Sequence, residues 1–380
     1  MIARRPGRLQ ETLIVLILSL LLIALLIPLA GCTATSAATD GIAPEPEPEK
    51  PPVNPLTGEV VSSLDLVTRR PLAVKVENDP KARPQSGIID ADLVYEELVE
   101  GGITRFICIY LSKESPSIGP TRSARPSDID IVFFLNPLLI CSGGSSAVMS
   151  MVQASGLMFI TEDAAHFWRE RTRSAPHNLF TSTTLLRQYL MEKADSFNSL
   201  PDSAFYFADP QEEEEDAEGE EEPADGVTEG EAAGGETAPE ESVMVSPASA
   251  INIAYKAAIC AASYQYDPAS ATYLHSIQGA PHTDLTTGRR VAPSNVIVQY
   301  VTVTNSGLRD VAGSPVPVSQ VVGSGKCLVF TAGKVYHATW KKGSRSVPTT
   351  FVDENGNPVP LRAGQTWIHL ISEDIPVTYQ

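Results

Sequence analysis

The sequence is poor in cysteine, and this limits the chemistry and the cross-links it can support. Only five of its 380 residues are cysteine. After Cys32, the remaining four lie in apolar stretches without short paired spacings: Cys108, Cys141, Cys260 and Cys327. Neither a disulfide framework nor a zinc-binding pattern is therefore indicated. We expect buried free thiols, although an exported protein would permit a bridge wherever two of them met.

Histidine is also scarce, and its arrangement predicts no metal site. The six histidines form no His-x-x-x-His or Glu-x-x-His pattern. His177 and Asn178 follow Pro176, and His282 and Asp284 follow Pro281, in loop settings that suit ligands or general bases. We interpret these four as candidate polar loop residues, with simple loop hydrogen bonding as the alternative. No cofactor is predicted.

Basic residues are outnumbered, with 28 Lys and Arg against 46 Asp and Glu, for a net charge of −18. Residues 211–242 hold fifteen acidic and no basic residues, so the rest of the chain carries a net charge of only −3. A nucleic-acid partner therefore gains no electrostatic support. The segment lacks aromatic residues and has Val227 as its only β-branched aliphatic residue. We predict a disordered acidic loop, whose deletion leaves the unfolding temperature within a few degrees.

One long apolar run is present, and it lies at the N-terminus. Arg4, Arg5 and Arg8 precede apolar residues 13–29, and Leu29-Ala30-Gly31-Cys32 closes the segment. This order is typical of a secretory signal peptide with a lipobox. We predict cleavage before Cys32, a lipid on Cys32, and anchoring to the extracytoplasmic face of the cell membrane. The alternative is an uncleaved anchor over residues 12–30, which approaches the roughly 20 apolar residues that span a bilayer.

Composition then divides the chain into four parts. Residues 1–31 are the signal peptide, and residues 32–53 are a stalk that ends in alternating Pro and Glu, a pattern that favours extended polyproline II. An α/β domain is predicted over 54–200 and a mostly β domain over 201–380, which contains the acidic loop. The predicted fold class is therefore α+β.

The first domain alternates strand and helix patterns. Strands are predicted over 72–76, 91–96, 104–111 and 138–142. Helices are predicted over 127–135 with Ser127 as its N-cap, over 147–154, and over 183–191. Gly143-Gly144-Ser145-Ser146 lacks the Gly-x-Ser-x-Gly frame of a nucleophile elbow, so Ser145 and Ser146 are interpreted as helix caps.

The second domain has short strand patterns with turn signals between them. Strands are predicted over 205–208, 251–255, 264–266, 272–276, 295–303, 326–331, 335–341, 349–352 and 366–370. Gly333-Lys334 and Asn355-Gly356 indicate hairpins. Gly323-Ser324-Gly325-Lys326 is similar to the end of a P-loop. Because Gln320 and Cys327 break that pattern, we interpret the run as a turn between strands.

Arginines are the best chemical lead. Arg122 and Arg125 lie between Pro120 and Pro126, just before the predicted helix that begins at Ser127. Guanidinium groups and a helix N-terminus both favour phosphate or carboxylate oxygens. The candidate anion-binding residues are Arg105, Arg122, Arg125, Arg169, Arg171 and Arg173. The alternative is that these side chains form structural ion pairs with Glu96, Glu97, Glu100 or Asp128.

Several motifs together resemble the YerB-like lipoproteins of Gram-positive bacteria. In the first half they are residues 70–74, 78–87, 100–106, 118–126 and 174–182. In the second half they are Asp284, Thr287-Gly288, and residues 295–299, 323–326, 340–342 and 364–367. The family is classed as domains of unknown function, so the resemblance implies a lipid-anchored envelope protein of two domains without an assigned activity. The acidic insertion departs from the family pattern.

A second resemblance concerns the order of elements in the first half. Ala91-Asp92-Leu93-Val94, a strand, an arginine-bearing loop and a strand ending at Gly143-Gly144 are similar in order to the LytR-CpsA-Psr phosphotransferases. Those enzymes hold a polyprenyl pyrophosphate on arginines. Their Arg-Asp pair is not reproduced, because Ser123 follows Arg122. The resemblance therefore implies anion binding more strongly than transferase chemistry.

These observations predict a lipid-anchored envelope protein that binds a ligand or a protein partner through its α/β domain. It contacts the membrane through the lipid on Cys32 and binds no nucleic acid. The alternative is an enzyme that acts on a phosphorylated, lipid-linked envelope substrate. In that alternative the arginines clamp the anion, and Asp92 or Asp128 is the base or metal ligand.

Overall fold

The structure of the protein, a computed structural model, describes residues 51–203, 205–208, 245–310 and 312–380. The predicted signal peptide, the predicted lipidation site Cys32, most of the predicted stalk and the predicted acidic loop lie outside the described residues. The described residues belong to one compact unit.

The described residues contain four α-helices, all in the first half of the chain. They are α1 (Asp65–Thr68), α2 (Pro126–Val132), α3 (Ser146–Ser155) and α4 (Thr183–Glu192). Side-chain caps start the two longest helices: Ser145 Oγ accepts from the Val148 N–H, and Ser182 Oγ accepts from the Leu185 N–H. The prediction of Ser145 as a helix cap is confirmed.

Seven strands lie in the first half. They are β1 (Leu72–Glu77), β2 (Leu93–Leu98), β3 (Thr104–Tyr110), β4 (Leu138–Ile140), β5 (Met158–Ile160), β6 (Trp168–Arg169) and β7 (Leu179–Phe180). β1 pairs antiparallel with β3 and parallel with β4. Every residue of β1 and β3 is buried, as expected for apolar, β-branched strands in the middle of a covered sheet.

The second half is built from short strands. They are β8 (Tyr206–Phe207), β9 (Val245–Pro247), β10 (Ala250–Ile253), β11 (Ala262–Asp267), β12 (Thr272–Ile277), β13 (Ala280–Pro281), β14 (Asn295–Tyr300), β15 (Thr302–Arg309), β16 (Pro315–Gln320), β17 (Gly323–Thr331), β18 (Lys334–Lys342), β19 (Thr350–Val352), β20 (Pro360–Leu361), β21 (Thr366–Ile371) and β22 (Val377–Tyr379). An α/β first half followed by a β-rich second half confirms the predicted fold class.

Strands from both halves build one eleven-stranded sheet. Its order is β19-β18-β17-β14-β21-β2-β3-β1-β4-β5, and β9 also pairs with β18. β21 joins the halves because it runs parallel to β14 on one side and to β2 on the other. Trp367 on β21 therefore lies beside Val296 and Val94. A separate five-stranded sheet has the order β13-β12-β11-β10-β22.

Three apolar clusters cover the faces of these sheets. On one face of the large sheet, α2 and α3 contribute Ile131 and Val152, which share a cluster with Ile109 of β3. On the other face, Leu186 of α4 belongs to a cluster with Phe106 of β3. A third cluster lies between the second half of the large sheet and the five-stranded sheet. Burial of this apolar area is the main stabilising contribution.

Three local predictions are wrong. The helix predicted over 127–135 begins at Pro126 with Arg125 as its N-cap, because Pro suits the first helical position and the Asp128 carboxylate accepts the Arg125 N–H at 2.7 Å. Ser127 instead lies inside this helix, where its hydroxyl accepts from the Ser319 N–H.

The other two corrections concern strands. The turn predicted at 323–326 is the start of β17, which pairs with β18. The strand predicted over 295–303 divides at Val301, because β15 leaves the large sheet to pair with β16. The four cysteines after Cys32 are free and buried, so that expectation is confirmed.

Candidate anion-binding site

Three of the candidate arginines converge at one end of the first half. Arg105 lies on β3, while Arg122 and Arg125 lie in the loop before α2. Backbone hydrogen bonds hold this loop between two strands: the Arg122 N–H donates to the Lys75 carbonyl, and the Ser142 N–H donates to the Arg122 carbonyl. These two hydrogen bonds fix the backbone from which the Arg122 side chain extends.

The three arginines line a cavity of about 240 Å³. The opposite wall is the loop between β4 and α3, which contributes Ser142, Gly144 and Ser145. The first turn of α3 begins at this wall, because Ser145 is its N-cap. The free backbone N–H groups of a helix N-terminus favour an anion there.

Two carboxylates pair with the three guanidinium groups. Glu100 lies 2.5 Å from Arg125 through two contacts, and its Oε2 lies 4.0 Å from Arg105. Glu77 Oε1 lies 3.1 Å from Arg122 Nε, in an ion pair that lacks hydrogen-bond geometry. One positive charge in this group is therefore not matched by a carboxylate partner.

Arg105 has the longest carboxylate contact of the three arginines. The residue is only 5 % exposed, and its Nε has no hydrogen-bond partner. Burial, with the neighbouring charges of Arg125 and Arg122, lowers the pKa of Arg105 to about 10. The side chain is still charged at neutral pH, so it remains a buried cation lining the cavity.

An acidic side chain also lies at this cavity. Asp310, at the end of β15, is one of the lining residues. Its Oδ1 accepts the N–H groups of Ala312 and Ser314 at 2.9 and 2.8 Å. The carboxylate is thus engaged by its own hairpin turn, but its charge opposes an anion in the cavity.

The helix that contributes its N-terminus is not the expected one. The sequence placed the arginine loop before a helix starting at Ser127. The observed helix, α2, has only seven residues, and its start is closed by the reciprocal bonds of Arg125 and Asp128. The ten-residue helix α3 lines the cavity instead through Ser145 and Val148.

The other three candidate arginines lie outside the cavity. Arg169 forms a bidentate pair with Glu162 at 2.6 and 2.8 Å, and Arg171 is exposed. Arg173 donates to the carbonyls of Ala82 and Pro84, both at 2.6 Å. Arg169 and Arg173 are thus paired within the fold, and the structure does not bring the six arginines to one anion.

His177 contacts a carboxylate that pairs with a candidate arginine, and Asn178 contacts two of the candidate arginines directly. His177 Nδ1 lies 2.9 Å from Glu77 Oε2, so Glu77 joins His177 to Arg122. Asn178 donates to the carbonyls of Glu170 and Arg173 and accepts from Arg169. Both side chains stabilise loop positions.

His282 and Asp284 connect the two halves of the chain. His282 Nε2 lies 3.0 Å from Gln85 Oε1, and Asp284 Oδ2 accepts the Gly87 N–H at 2.5 Å. Burial lowers the pKa of His282 to about 3, so this histidine is neutral at physiological pH. Both residues lie away from the arginine cavity lining.

The two candidate bases are fully buried and do not line the cavity. Asp92 accepts the N–H groups of Leu111 and Ser112, and the side chains of Ser112 and Asn54 also donate to it. Asp128 accepts from Lys75 at 2.6 Å. Both carboxylates are structural acceptors, and neither is placed to take a proton from a group in the cavity.

Sequence reasoning missed Glu77 and the wall formed by the β4–α3 loop. Glu77 ends an apolar strand and carries no signal that distinguishes it from a solvent-exposed residue. The loop had a signal, because Gly143-Gly144-Ser145-Ser146 between a strand and a helix is a composition that can expose backbone N–H groups. That run was interpreted only as a cap.

A larger cavity of about 680 Å³ opens beside β17 and β18 in the second half. Its polar lining mixes charges, with Lys326 near Glu354 and Glu373. It lacks the concentration of one charge sign that marks the arginine cavity.

Among the described residues, no group of three or more His, Cys, Asp or Glu is arranged to hold a metal ion. In the same part of the chain, no helix is long and apolar enough to cross a membrane.

Family models match both halves of the chain. Residues 56–196 match the N-terminal domain, and residues 251–368 the C-terminal domain, of the proteins of unknown function described as DUF3048. The chain therefore belongs to the DUF3048 family. This confirms the family resemblance that the sequence motifs carry.

The relatives are consistent with that family. The chain is 28% identical over 335 residues to a Bacillus subtilis (strain 168) protein named "Putative lipoprotein YerB", which covers 86% of this chain and 88% of that one. The crystal structure of the YerB protein from Bacillus subtilis matches with a TM-score of 0.69 and 25% identity, over 86% of this chain and 99% of that chain. Neither name states an activity.

Proposed function

We propose that this protein is a lipid-anchored protein of the cell envelope that binds an anionic, phosphate-bearing ligand in the arginine cavity. One observation carries the proposal: Arg105, Arg122 and Arg125 converge on one cavity, where only two carboxylates pair with them. A phosphate there accepts hydrogen bonds from guanidinium groups and from the start of α3, while the third carboxylate at the cavity, Asp310, is engaged by its own turn.

Binding is a better account of the cavity than catalysis. An enzyme acting on a phosphorylated, lipid-linked substrate needs a base or a metal ligand beside the anion. The carboxylates considered for that role, Asp92 and Asp128, are buried and committed to internal hydrogen bonds. The side chains that do line the cavity are cations, hydroxyl groups, Val148, Val316 and Asp310.

The membrane anchor rests on the lipobox that ends at Cys32 and on the word lipoprotein in the name of the relative. We expect the precursor with Cys32→Ala to remain unprocessed, because the thioether forms on that sulfur alone. Metabolic labelling with a radioactive fatty acid should give a labelled band for the wild type and none for the variant. An equally labelled variant removes the assignment of Cys32.

The cavity is tested by titrating the mature chain with inorganic phosphate and pyrophosphate in a calorimeter. Arg122→Gln should lower the affinity for either anion at least tenfold, because its guanidinium is the most accessible of the three. Arg171→Gln is the matched control, since this exposed arginine lies outside the cavity. Asp310→Asn should raise the affinity two- to threefold by removing a like charge. If the wild type binds neither anion, the proposed function is wrong.

A further inference from the structure

A second cavity borders the arginine cavity at the loop between β4 and α3. It measures about 560 Å³, within the range of small-molecule sites, and it shares Ser142 and Gly144 with the arginine cavity. We call it the α3–β5 groove, because its walls come from α3 and from the strand β5 with the residues that follow. The rest of a ligand held by its phosphate in the arginine cavity could therefore extend past Ser142 and Gly144 into this groove.

The lining of the groove is rich in neutral hydrogen-bonding groups. Ser150 and Gln153 are exposed on α3, and Thr161 follows β5. Hydroxyl and amide groups both donate and accept, so they match a ligand that carries hydroxyl groups. Phe159 on β5 adds one aromatic ring, which offers an apolar face for the C–H side of a sugar.

The charges of the groove argue against a second anionic group. Glu162 is its one charged lining residue, and both of its oxygens are held by Arg169. The lining residues include no cation that could pair with a further phosphate or carboxylate. The part of the ligand that lies in this groove is thus uncharged.

An acyl chain fits the groove poorly. Met149 and Phe159 are the only large apolar side chains among its lining residues. Burying a methylene is favourable only where apolar surface encloses it. A long acyl chain here would bury hydroxyl and amide groups. Those groups would lose their hydrogen bonds to water and gain none from the chain.

We propose that the arginine cavity and the α3–β5 groove form one site for a sugar phosphate. The phosphate lies between the guanidinium groups and the start of α3, and the sugar ring lies against Phe159 with its hydroxyl groups near Gln153. This assignment rests on the proposed function, and it adds the class of the ligand. The α3 N-terminus does not stand alone in it, because Arg105 is a buried cation with an unpartnered Nε lining the same cavity.

Three probes separate the sugar from the phosphate and from a lipid. The mature chain is titrated with inorganic phosphate, glucose 1-phosphate and octyl phosphate, the last below its micelle concentration. Glucose 1-phosphate should bind at least tenfold more tightly than inorganic phosphate, whereas octyl phosphate should gain less than threefold. Gln153→Ala and Phe159→Leu should each lower the affinity for glucose 1-phosphate at least fivefold and leave the affinity for inorganic phosphate unchanged.

Gln188→Ala is the matched control, because Gln188 is also on a helix surface but pairs with Glu192 on α4, outside the groove. If inorganic phosphate binds and glucose 1-phosphate binds no better, the sugar assignment is overturned while the proposed function stands. If octyl phosphate binds most tightly and Gln153→Ala has no effect, the ligand is a lipid phosphate, and the sugar assignment is again overturned. If none of the three probes binds, both proposals fail together.

Discussion

At the scale of single residues, the arginines of the cavity differ in what they hold together. Arg125 and Glu100 are both nearly buried and contact each other twice at 2.5 Å. The Arg122 side chain is 20% exposed, and its partner Glu77 keeps a second contact with His177. Arg125 is therefore a structural residue that also lines the cavity, whereas Arg122 is the more accessible of the two.

Arg125→Ala should lower the free energy of unfolding by about 3–5 kcal/mol, because it leaves the Glu100 carboxylate buried without its partner. Arg122→Ala should cost less, about 1 kcal/mol, because Arg122 is partly exposed and the buried Glu77 keeps its contact with His177. Urea denaturation of both variants measures the difference. Equal losses would mean that Arg122 also belongs to the structural ion pairs, and a change at that position could not then report binding alone.

A second residue-scale feature is the buried carboxyl group of Glu96. It accepts from Thr104 at 2.6 Å and from Trp367 at 3.1 Å, and His369 Nδ1 lies 3.4 Å away. Burial raises the pKa of Glu96 to about 7, against the effect of these hydrogen bonds. The folded state thus holds this proton more tightly than the unfolded chain does, where the pKa is near 4.5.

Stability should therefore fall as the pH rises. A pKa raised by folding adds stability that is complete below about pH 4.5 and lost as the pH passes about 7. The difference is worth about 3 kcal/mol. Denaturation between pH 5 and 8 should show this fall, and Glu96→Gln should reduce it, because glutamine stays neutral. Glu373→Gln, at an exposed position, should leave the slope as in the wild type; an unchanged slope in Glu96→Gln would contradict the account.

At the scale of elements, β17 and β18 depend on a glycine that lets a tryptophan approach the backbone. Trp340 on β18 is buried, and its indole N–H donates to the Tyr300 carbonyl at 2.8 Å. A Cβ on Gly325 would lie 2.7 Å from Trp340 Nε1 and 3.1 Å from that carbonyl. This strand position requires glycine because Trp340 on β18 packs against it, and not because a turn is formed there.

Gly325→Ala should destabilise the protein by about 1–3 kcal/mol, since the added methyl group displaces the indole from its acceptor. Gly343→Ala is the matched control, because nothing lies within 4 Å of the Cβ it would add. Thermal unfolding of both variants tests this. If the two variants melt together, the contact between Gly325 and Trp340 does not determine this pairing.

At the scale of the whole molecule, β21 makes the two family domains depend on each other. Residues 93–97 of β2 pair with residues 366–370 of β21, which comes from the end of the chain. Trp367 also belongs to the apolar cluster that holds Phe106 and Leu186 of the first half. Without β21, β2 is an unpaired edge beside an open apolar face.

A fragment of residues 51–200 should therefore not fold by itself, although it contains the complete N-terminal family match. Its amide spectrum should lack the dispersion of a folded protein, whereas the chain from residue 51 to 380 should show it. Mixing with a second fragment of residues 201–380 should restore folding if β21 is the missing element. A cooperative unfolding transition in the first fragment alone would show that its core is sufficient.

The sequence by itself was enough to predict the kinds of elements and their approximate positions. Strands such as β1, β3 and β21 have local patterns of apolar and β-branched residues, and α3 has a serine cap that sets its start. Burial of the free cysteines also followed from their apolar surroundings. These properties depend on a few neighbouring residues, so they can be read from a short stretch of chain.

Only the tertiary structure decided which strands are neighbours and which arginines meet. The insertion of β21 between β14 and β2 pairs residues more than 250 positions apart, and no local pattern specifies such a partner. The same holds for the cavity, where Arg105 comes from one strand, Arg122 from a loop and Ser145 from a helix start. Six arginines have equal charge in the sequence; burial and distance, which only the folded chain sets, separate the three that line one cavity from the three that do not.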